Sequence, residues 1–252
     1  MATLPPVNLG VILFLSFLAV WASRKPIERL FVQPAARTSQ PKRQLIMDLF
    51  LCMIAGLLAT SFNIIVFGFP IGSGIKLIIG CTVAGFFLSI DTALARERVV
   101  IKDSIARDDL IAPPEKLFSM TKKFSLVALA TAVLVSIVVL LVFSLDIAWL
   151  TKIEQNATAL HRAQMSIAYE IFFMFAVLLS LVVNLIISYS GNLKLLFKNE
   201  TRILERISRG DLSQKVPVAT KDESGVIAGH TNNMIDGLRH RAELVSALKL
   251  AE

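Results

Sequence analysis

The sequence predicts an all-α membrane protein, and three observations lead to that prediction. Of its 252 residues, 55% are apolar and the mean hydropathy is +0.67, which is above the roughly 45–50% apolar content of soluble domains. Five apolar runs approach or exceed the roughly 20 residues that a helix needs to cross a bilayer. Charged residues cluster between these runs and near the end of the chain, whereas a soluble protein distributes charge over its surface.

The five predicted spans follow one another along most of the chain. Four runs have the full length, and the first is marginal because Pro5, Pro6 and Asn8 lie in its opening turn. The spans are predicted at residues 4–22, 47–69, 71–95, 125–145 and 167–189. Together they form a transmembrane helical domain, residues 1–190.

The loops predict the orientation of these spans. Segment 23–46 carries six Lys or Arg residues against one acid, and segment 96–124 carries seven, whereas the turn 68–73 has no charge. Basic loops stay in the cytoplasm. We therefore expect the N-terminus outside and everything after residue 190 in the cytoplasm.

The outward-facing part of the chain is predicted to be small. The turn 68–73 is tight, and segment 146–166 has about twenty residues, whereas a folded sensor domain takes about 50 or more. We therefore expect the stimulus to be a lipid, a hydrophobic ligand or a membrane partner, acting within the membrane.

Polar residues inside the spans are candidates for an intramembrane polar site: Asn63, Asp91 and Asn184. For the two asparagines, hydrogen bonding between helices is favoured over ligand binding. Asp91 is either a structural anchor or part of a ligand or switch site. A transporter is disfavoured, because five spans give no inverted repeat and no helix has a central Pro or Gly pair.

Composition also excludes several classes. The net charge is +7, but the basic residues flank apolar runs without interleaved aromatic residues, so nucleic-acid binding is not expected. Cys52 and Cys81 lie inside apolar runs without metal or redox spacing. No catalytic constellation, cofactor site or metal site is predicted, and by itself the chain is not expected to be an enzyme.

After the last span the sequence predicts two helices joined by a stiff connector. The first helix has an apolar seam: Leu193, Leu196, Leu204 and Ile207, with Phe197 and Ile203 beside it. Gly210 is expected to end this helix. Leu212, Val216 and Val218 are spaced to pack against a neighbouring helix, and Pro217 stiffens the connector. Asp222 or Ser224 is expected to cap the second helix.

The second helix has the spacing of a coiled coil. The positions of its seam step by 4, 3 and 4 residues, at Ile227, Thr231, Met234 and Leu238. The seam continues through Ala242, Val245 and Leu248. Neither helix is apolar enough to be stable alone, so a homodimer is predicted. An amphipathic helix lying on lipid would explain the first helix, but not the connector and the second helix.

Residues 191–238 resemble a HAMP domain, the two-helix linker of bacterial transmembrane receptors. The resemblance rests on four motifs: Ile207-x-x-Gly210-Asp211-Leu212, Val216-Pro217-Val218, Asp222-Glu223-x-Gly225 and Asn232-Asn233-Met234. It implies a parallel four-helix bundle in a homodimer at the bacterial inner membrane, with Glu223 tying the second helix to the end of the first. The signal-relay residues it implies are Gly210, Leu212, Val216, Pro217, Val218, Glu223, Gly225 and Met234. The proline usual early in the first helix is absent, and Leu196 lies near its place.

Residues 239–252 are predicted to begin an output helix. The stretch "ELVSALKLAE" resembles the helix that enters PP2C-like serine/threonine phosphatases, and class III nucleotide cyclases are the next candidate effector. The effector is expected in a longer product or as a separate cytoplasmic protein. The predicted function is transmembrane signal transduction, and the alternative is a membrane-integral ligand- or ion-handling protein whose tail only dimerises it.

Overall fold

A computed structural model describes residues 6–68, 70–107, 119–150, 157–220 and 222–251. The described residues form six α-helices and one short 3-10 helix at Arg37–Ser39, with no strand among them. The helices are α1 (Pro6–Phe31), α2 (Gln40–Phe67), α3 (Ile71–Arg107), α4 (Met120–Leu150), α5 (Ala157–Ser208) and α6 (Glu223–Ala251). The predicted all-α class is confirmed.

Five helices are long and apolar enough to cross a membrane, as the sequence predicted. Within the described residues their candidate spans are Gly10–Phe31, Arg37–Phe67, Ile71–Ala106, Met120–Ser144 and Gln164–Ser208. The candidate spans on α3 and α5 extend well beyond the predicted ones, because both helices continue into charged sequence after their apolar runs end. Hydropathy detects the apolar part of a helix and not its polar extension.

The chain folds into two compact units. The apolar unit comprises Met1–Ala35, Lys42–Ala93 and Val127–Ile187, and the polar unit comprises Ala36–Pro41, Leu94–Leu126 and Ser188–Glu252. Helices α3, α4 and α5 contribute residues to both units. Each unit has its own buried core, and the two are described separately below.

In the apolar unit, α2 and α3 form a hairpin held by small residues. Gly68, with φ +62°, ends α2, as glycine commonly does after a helix. Beyond the turn, the helices approach so closely that a Cβ on Gly85 would lie 2.4 Å from Cβ of Cys52, and one on Gly56 would lie 2.8 Å from Cβ of Cys81. Small residues allow this approach in membranes, where dispersion contacts rather than the hydrophobic effect hold helices together.

Two apolar clusters complete the apolar unit. One joins α1 to α2 through Met47 and Leu51, with Val32 buried beneath them. The other is centred on Val83 and Phe87 of α3 and Leu178 of α5. Residues from α4 pack against this second cluster, so α3, α4 and α5 share one packed core.

Candidate functional site

The candidate site lies in the polar unit, where α5 ends and the chain turns into α6. Gly210 has φ +85°, a left-handed conformation that glycine adopts without steric cost. Its N–H donates to the carbonyl of Ile207 at 2.9 Å, and the N–H of Asp211 donates to the carbonyl of Arg206 at 3.0 Å. This pair of bonds is the Schellman pattern of helix ends. The prediction that Gly210 ends the first helix is confirmed.

The connector after Gly210 packs between α5 and α6. Val216 and Val218 are buried together with Ile203 of α5 and with Ala228 and Ile235 of α6. We call these five residues the connector core. Ile207 and Leu212 pack against it while remaining partly exposed, so the predicted packing of Leu212, Val216 and Val218 is confirmed. Pro217 is also buried.

Asn232 fastens the connector to α6. Its side-chain amide donates to the carbonyl of Val216 at 2.8 Å, and its oxygen accepts from the N–H of Val216 at 2.7 Å. All of these groups are buried, and a buried backbone group without a partner is costly. Val216 lies outside any helix or strand, and the single side chain of Asn232 therefore provides the hydrogen-bond partners of both its N–H and its carbonyl.

The start of α6 confirms Asp222 as the cap. Its carboxylate accepts from the N–H of Ser224 at 3.2 Å and from the hydroxyl of Thr220 at 2.7 Å. Gly225 lies against the preceding loop, and a Cβ there would come within 2.1 Å of the carbonyl oxygen of Thr220. The glycine at this position is therefore needed for close approach of the connector to α6.

Glu223 has a different partner from the one that the resemblance implied. Its carboxylate accepts from the hydroxyl of Ser119 and from the N–H of Met120 at 2.6 Å, both at the start of α4. These two bonds, with that to Ser119 the stronger, hold the pKa of Glu223 below its usual value. The side chain thus ties α6 to α4, whereas the HAMP resemblance had it tie α6 to the end of α5.

The first turns of α5 within the polar unit are held by α3. Arg98 donates to the side-chain oxygen of Asn192 at 3.0 Å and to the carbonyl of Ser188 at 3.0 Å. The Asn192 amide in turn donates to the carbonyl of Leu94 and to the carboxylate of Glu97. These contacts were not predicted, because no spacing in the sequence relates α3 to α5.

The predicted coiled-coil seam of α6 is only partly buried within one chain. Thr231 is buried, whereas Ile227, Met234 and Leu238 are 47%, 46% and 38% exposed. The connector core uses the adjacent face of the helix, through Ala228 and Ile235. Ile227, Met234 and Leu238 therefore lie outside the connector core, and pairing of the seam with a second chain stays a prediction.

The candidate intramembrane polar residues do not form one site. Asp91 and Asn184 line the same groove between α3 and α5, of about 150 Å³, with Phe87 and Leu181 among its apolar walls. Asn63 is not part of this lining. It is buried on α2, and its side-chain oxygen has no hydrogen-bond partner within the part of the chain that the structure describes.

Sequence reasoning missed a polar cluster in the apolar unit. Asp48 is 4% exposed and forms a two-pronged ion pair with Arg24, at 2.9 and 3.0 Å. The same carboxylate accepts from Gln44 and from Thr92 at 2.8 and 2.6 Å. The cluster joins α1, α2 and α3. Its only sequence signal was an aspartate one residue inside the predicted second span.

Five helices that are long and apolar enough to cross a membrane, in a chain whose described residues contain no strand, define the class: a multi-span helical membrane protein. Comparison with known proteins gives the family: the MASE10 family matches residues 1–173, and the chain belongs to this family of membrane-associated sensory domains. Signal transduction is therefore its class of function. The family match ends at residue 173, before the connector begins, and does not include residues 191–238.

The chain is also similar to a protein named "Cyclic di-GMP phosphodiesterase" from Vibrio cholerae serotype O1 (strain ATCC 39315 / El Tor Inaba N16961). The two are 27% identical over 174 residues, which make up 68% of this chain and 34% of the relative. The chain therefore matches about one third of the length of that relative. No solved structure matches the chain.

Proposed function

We propose that this chain is the membrane input half of a cyclic di-GMP signalling protein. In this proposal, the MASE10 domain receives a stimulus within the bilayer. A homodimeric HAMP-like module, residues 191–238, then passes a helix rearrangement to a cytoplasmic effector. The orientation is the one that the basic loops predict, with the N-terminus outside and α6 in the cytoplasm.

The observation that carries this proposal is the connector core. Val216 and Val218 fill the space between α5, which continues from the last span, and α6, which leads onward. Because packed cores switch between discrete arrangements rather than deform gradually, a shift of α5 would require the connector and α6 to repack together. This coupling is what a relay needs.

The exposed face of α6 supports a dimer. Ile227, Met234 and Leu238 remain exposed at coiled-coil spacing, and residues 241–250 are exposed on all sides. A helix with no packed face is stable only with a partner. The same surface on a second copy is the simplest partner, because coiled-coil seams are self-complementary.

The relative supports an effector that handles cyclic di-GMP. The aligned stretch is a third of that phosphodiesterase, so the remaining two thirds of the relative lie outside the match. This similarity favours a cyclic di-GMP enzyme as the effector over the PP2C-like phosphatase and the class III cyclase that the end of the sequence suggested. The stimulus we propose is a lipid, another hydrophobic ligand or a membrane partner.

The proposal is tested on the full native product in its own membrane. Intact mass establishes what the product contains after residue 252, and purified membranes are assayed with cyclic di-GMP, GTP, ATP and a phosphoserine peptide. We expect turnover of cyclic di-GMP or its synthesis from GTP. Cyclic nucleotide synthesis or phosphoserine hydrolysis would transfer the proposal to the cyclase or the phosphatase.

The relay itself is tested by changing Val216 and Val218 together to alanine. We expect altered output with unchanged membrane insertion, and the matched control is Val99→Ala, which removes the same atoms from an exposed position on α3. Unaltered output in the double variant would rule out the relay.

A second candidate function is favoured by the groove that Asp91 and Asn184 line. It combines a carboxylate and an amide with apolar walls, which suits an amphipathic ligand. In this alternative the protein handles a ligand within the membrane, and its tail only dimerises it. Ligand binding that survives the Val216/Val218 double change, together with unaltered output, would favour this candidate.

A further inference from the structure

The starts of α4 and α6 meet at two acidic residues. Glu223 accepts from Ser119 and from the N–H of Met120, the first residue of α4. Lys123, in the first turn of α4, donates to the carboxylate of Asp222 at 3.1 Å. We call these five residues the α4–α6 clasp.

Electrostatics explains why two acids lie at this point. The first N–H groups of a helix have no partner within the helix and give its N-terminus a partial positive charge. Two such ends placed side by side repel each other unless negative charge lies between them. Asp222 caps α6, and Glu223, although part of α6, supplies the same kind of contact to α4.

The clasp is distinct from the contacts that hold α5. Asn192 of α5 is bound to α3, through Arg98, Glu97 and the carbonyl of Leu94. The first helix of the HAMP-like module is therefore attached to α3, and the second helix is attached to α4. The chain connection between the two module helices runs only through the connector.

We infer that α4 controls the second helix of the module directly, through Asp222 and Glu223, so that the membrane domain has two routes to its output. One route is the continuous helix α5, and the other is the clasp. Movement of α4 relative to α5 would then change the angle or register of α6 without any change in the last span. The consequence for output rests on the proposed function, whereas the contact itself is testable without it.

The charged surroundings of the clasp come from all the helices that pack there. Lys123 of α4 interacts electrostatically with Glu223 and with Glu97 of α3. Tyr189 of α5 lies close to the carboxylates of Asp222 and Glu223, and its ring contacts Phe124 of α4. Lys123 thus interacts with three carboxylates, and its removal should open the clasp.

The contact is tested by a distance measurement between spin labels at Lys122 and His230, two exposed positions on α4 and α6. The labels are attached to cysteines in full-length protein in lipid nanodiscs, with Cys52 and Cys81 changed to alanine. Lys123→Met removes the cation, and Asp222→Asn removes a charge while keeping a residue that caps helices well. Glu223→Gln is the third variant, and Glu243→Gln, an exposed acid on α6, is its matched control.

With labelled protein diluted in unlabelled protein, so that only distances within one chain contribute, we expect one short, narrow distance distribution in the parent and in Glu243→Gln. Each clasp variant should lose that peak or broaden it, while size-exclusion chromatography shows the protein still folded. An unchanged distribution in Lys123→Met and Glu223→Gln would overturn the inference.

The second arm measures output from the full native product. Lys123→Met should change output even when α5 and the connector core are intact, and unchanged output there would also overturn the inference. Failure of the relay as a whole would appear differently, as unaltered output in the Val216/Val218 double variant.

Discussion

Asn232 uses its side-chain amide to bond both backbone groups of Val216, one at 2.7 Å and one at 2.8 Å. The amide therefore replaces the neighbour that a strand would have provided. Since the connector has no regular structure of its own, this contact and the burial of two valines determine its position on α6.

Asn232→Ala should destabilise the polar unit. The change leaves the buried N–H and carbonyl of Val216 without partners, which costs about 1–3 kcal/mol. Protease cleavage within the connector, followed in detergent, should become faster. The neighbouring exposed Asn233→Ala is the control, and equal cleavage rates in the two variants would contradict the role assigned to Asn232.

Gly225→Ala should separate the connector from α6. The added Cβ would be 2.1 Å from the carbonyl oxygen of Thr220, so the backbone has to move, with a cost of about 1–3 kcal/mol. The control is Gly237→Ala on the same helix, where a Cβ meets nothing within 4 Å. That variant should be more stable than the parent by about 0.5–1 kcal/mol. If the midpoints of thermal unfolding of Gly225→Ala and Gly237→Ala shifted in the same direction from that of the parent, the prediction would be refuted.

Acid should open the clasp. Because the pKa of Glu223 in the folded protein is held below its usual value of 4.5, its ionised form stabilises the clasp. That contribution is present above about pH 4.5 and is lost as the pH falls through the lower folded pKa. Protection from hydrogen exchange at the start of α4, measured relative to the intrinsic exchange rate at each pH, should therefore fall in this acid range.

Glu223→Gln is the control for the acid response, since its side chain does not titrate. Protection from exchange at the start of α4 should already be low in this variant at neutral pH and should change less on acidification. The pKa of Asp211 is also lowered, mainly by Ser213, so the end of α5 responds to acid in the same direction. A pH response at α4 that is identical in the parent and in Glu223→Gln would assign the effect to another group.

Arg24→Met should destabilise the apolar unit, because it leaves the carboxylate of Asp48 buried without its cation. Breaking a buried pair costs about 3–5 kcal/mol, and we expect about 3 kcal/mol here because Arg24 is itself partly exposed. Melting temperature in detergent is the measurement. The control is Lys25→Met, which also replaces a cation by methionine at the exposed neighbouring position. It should leave the melting temperature almost unaltered. Similar decreases in melting temperature in both variants would disprove the role of Asp48.

The sequence predicted those features that depend on local pattern. Five spans follow from apolar length, and the turn at Gly210 and the cap at Asp222 follow from residue types that suit helix ends. The burial of Val216 and Val218 followed from their alternate spacing. Each of these signals lies within a few residues of the structure that it predicts.

The contacts that were not predicted join residues far apart in the chain. Asp48 pairs with Arg24 on another helix, and Glu223 bonds to residues more than a hundred positions earlier. Nothing in one sequence relates such positions. The partner that the HAMP resemblance implied for Glu223 was also wrong, since its carboxylate bonds to Ser119 and Met120 and not to the end of α5.

Helix α5 has one further consequence. It runs for 52 residues without proline, a length of about 78 Å at 1.5 Å per residue, and the proline that its resemblance would place near Leu196 is absent. Without a proline, every backbone N–H after the first turn of the helix can bond within the helix. Labels placed at successive turns of α5 would show at which residue a displacement that begins in the last span stops, and the effector can respond only to displacement that passes this residue.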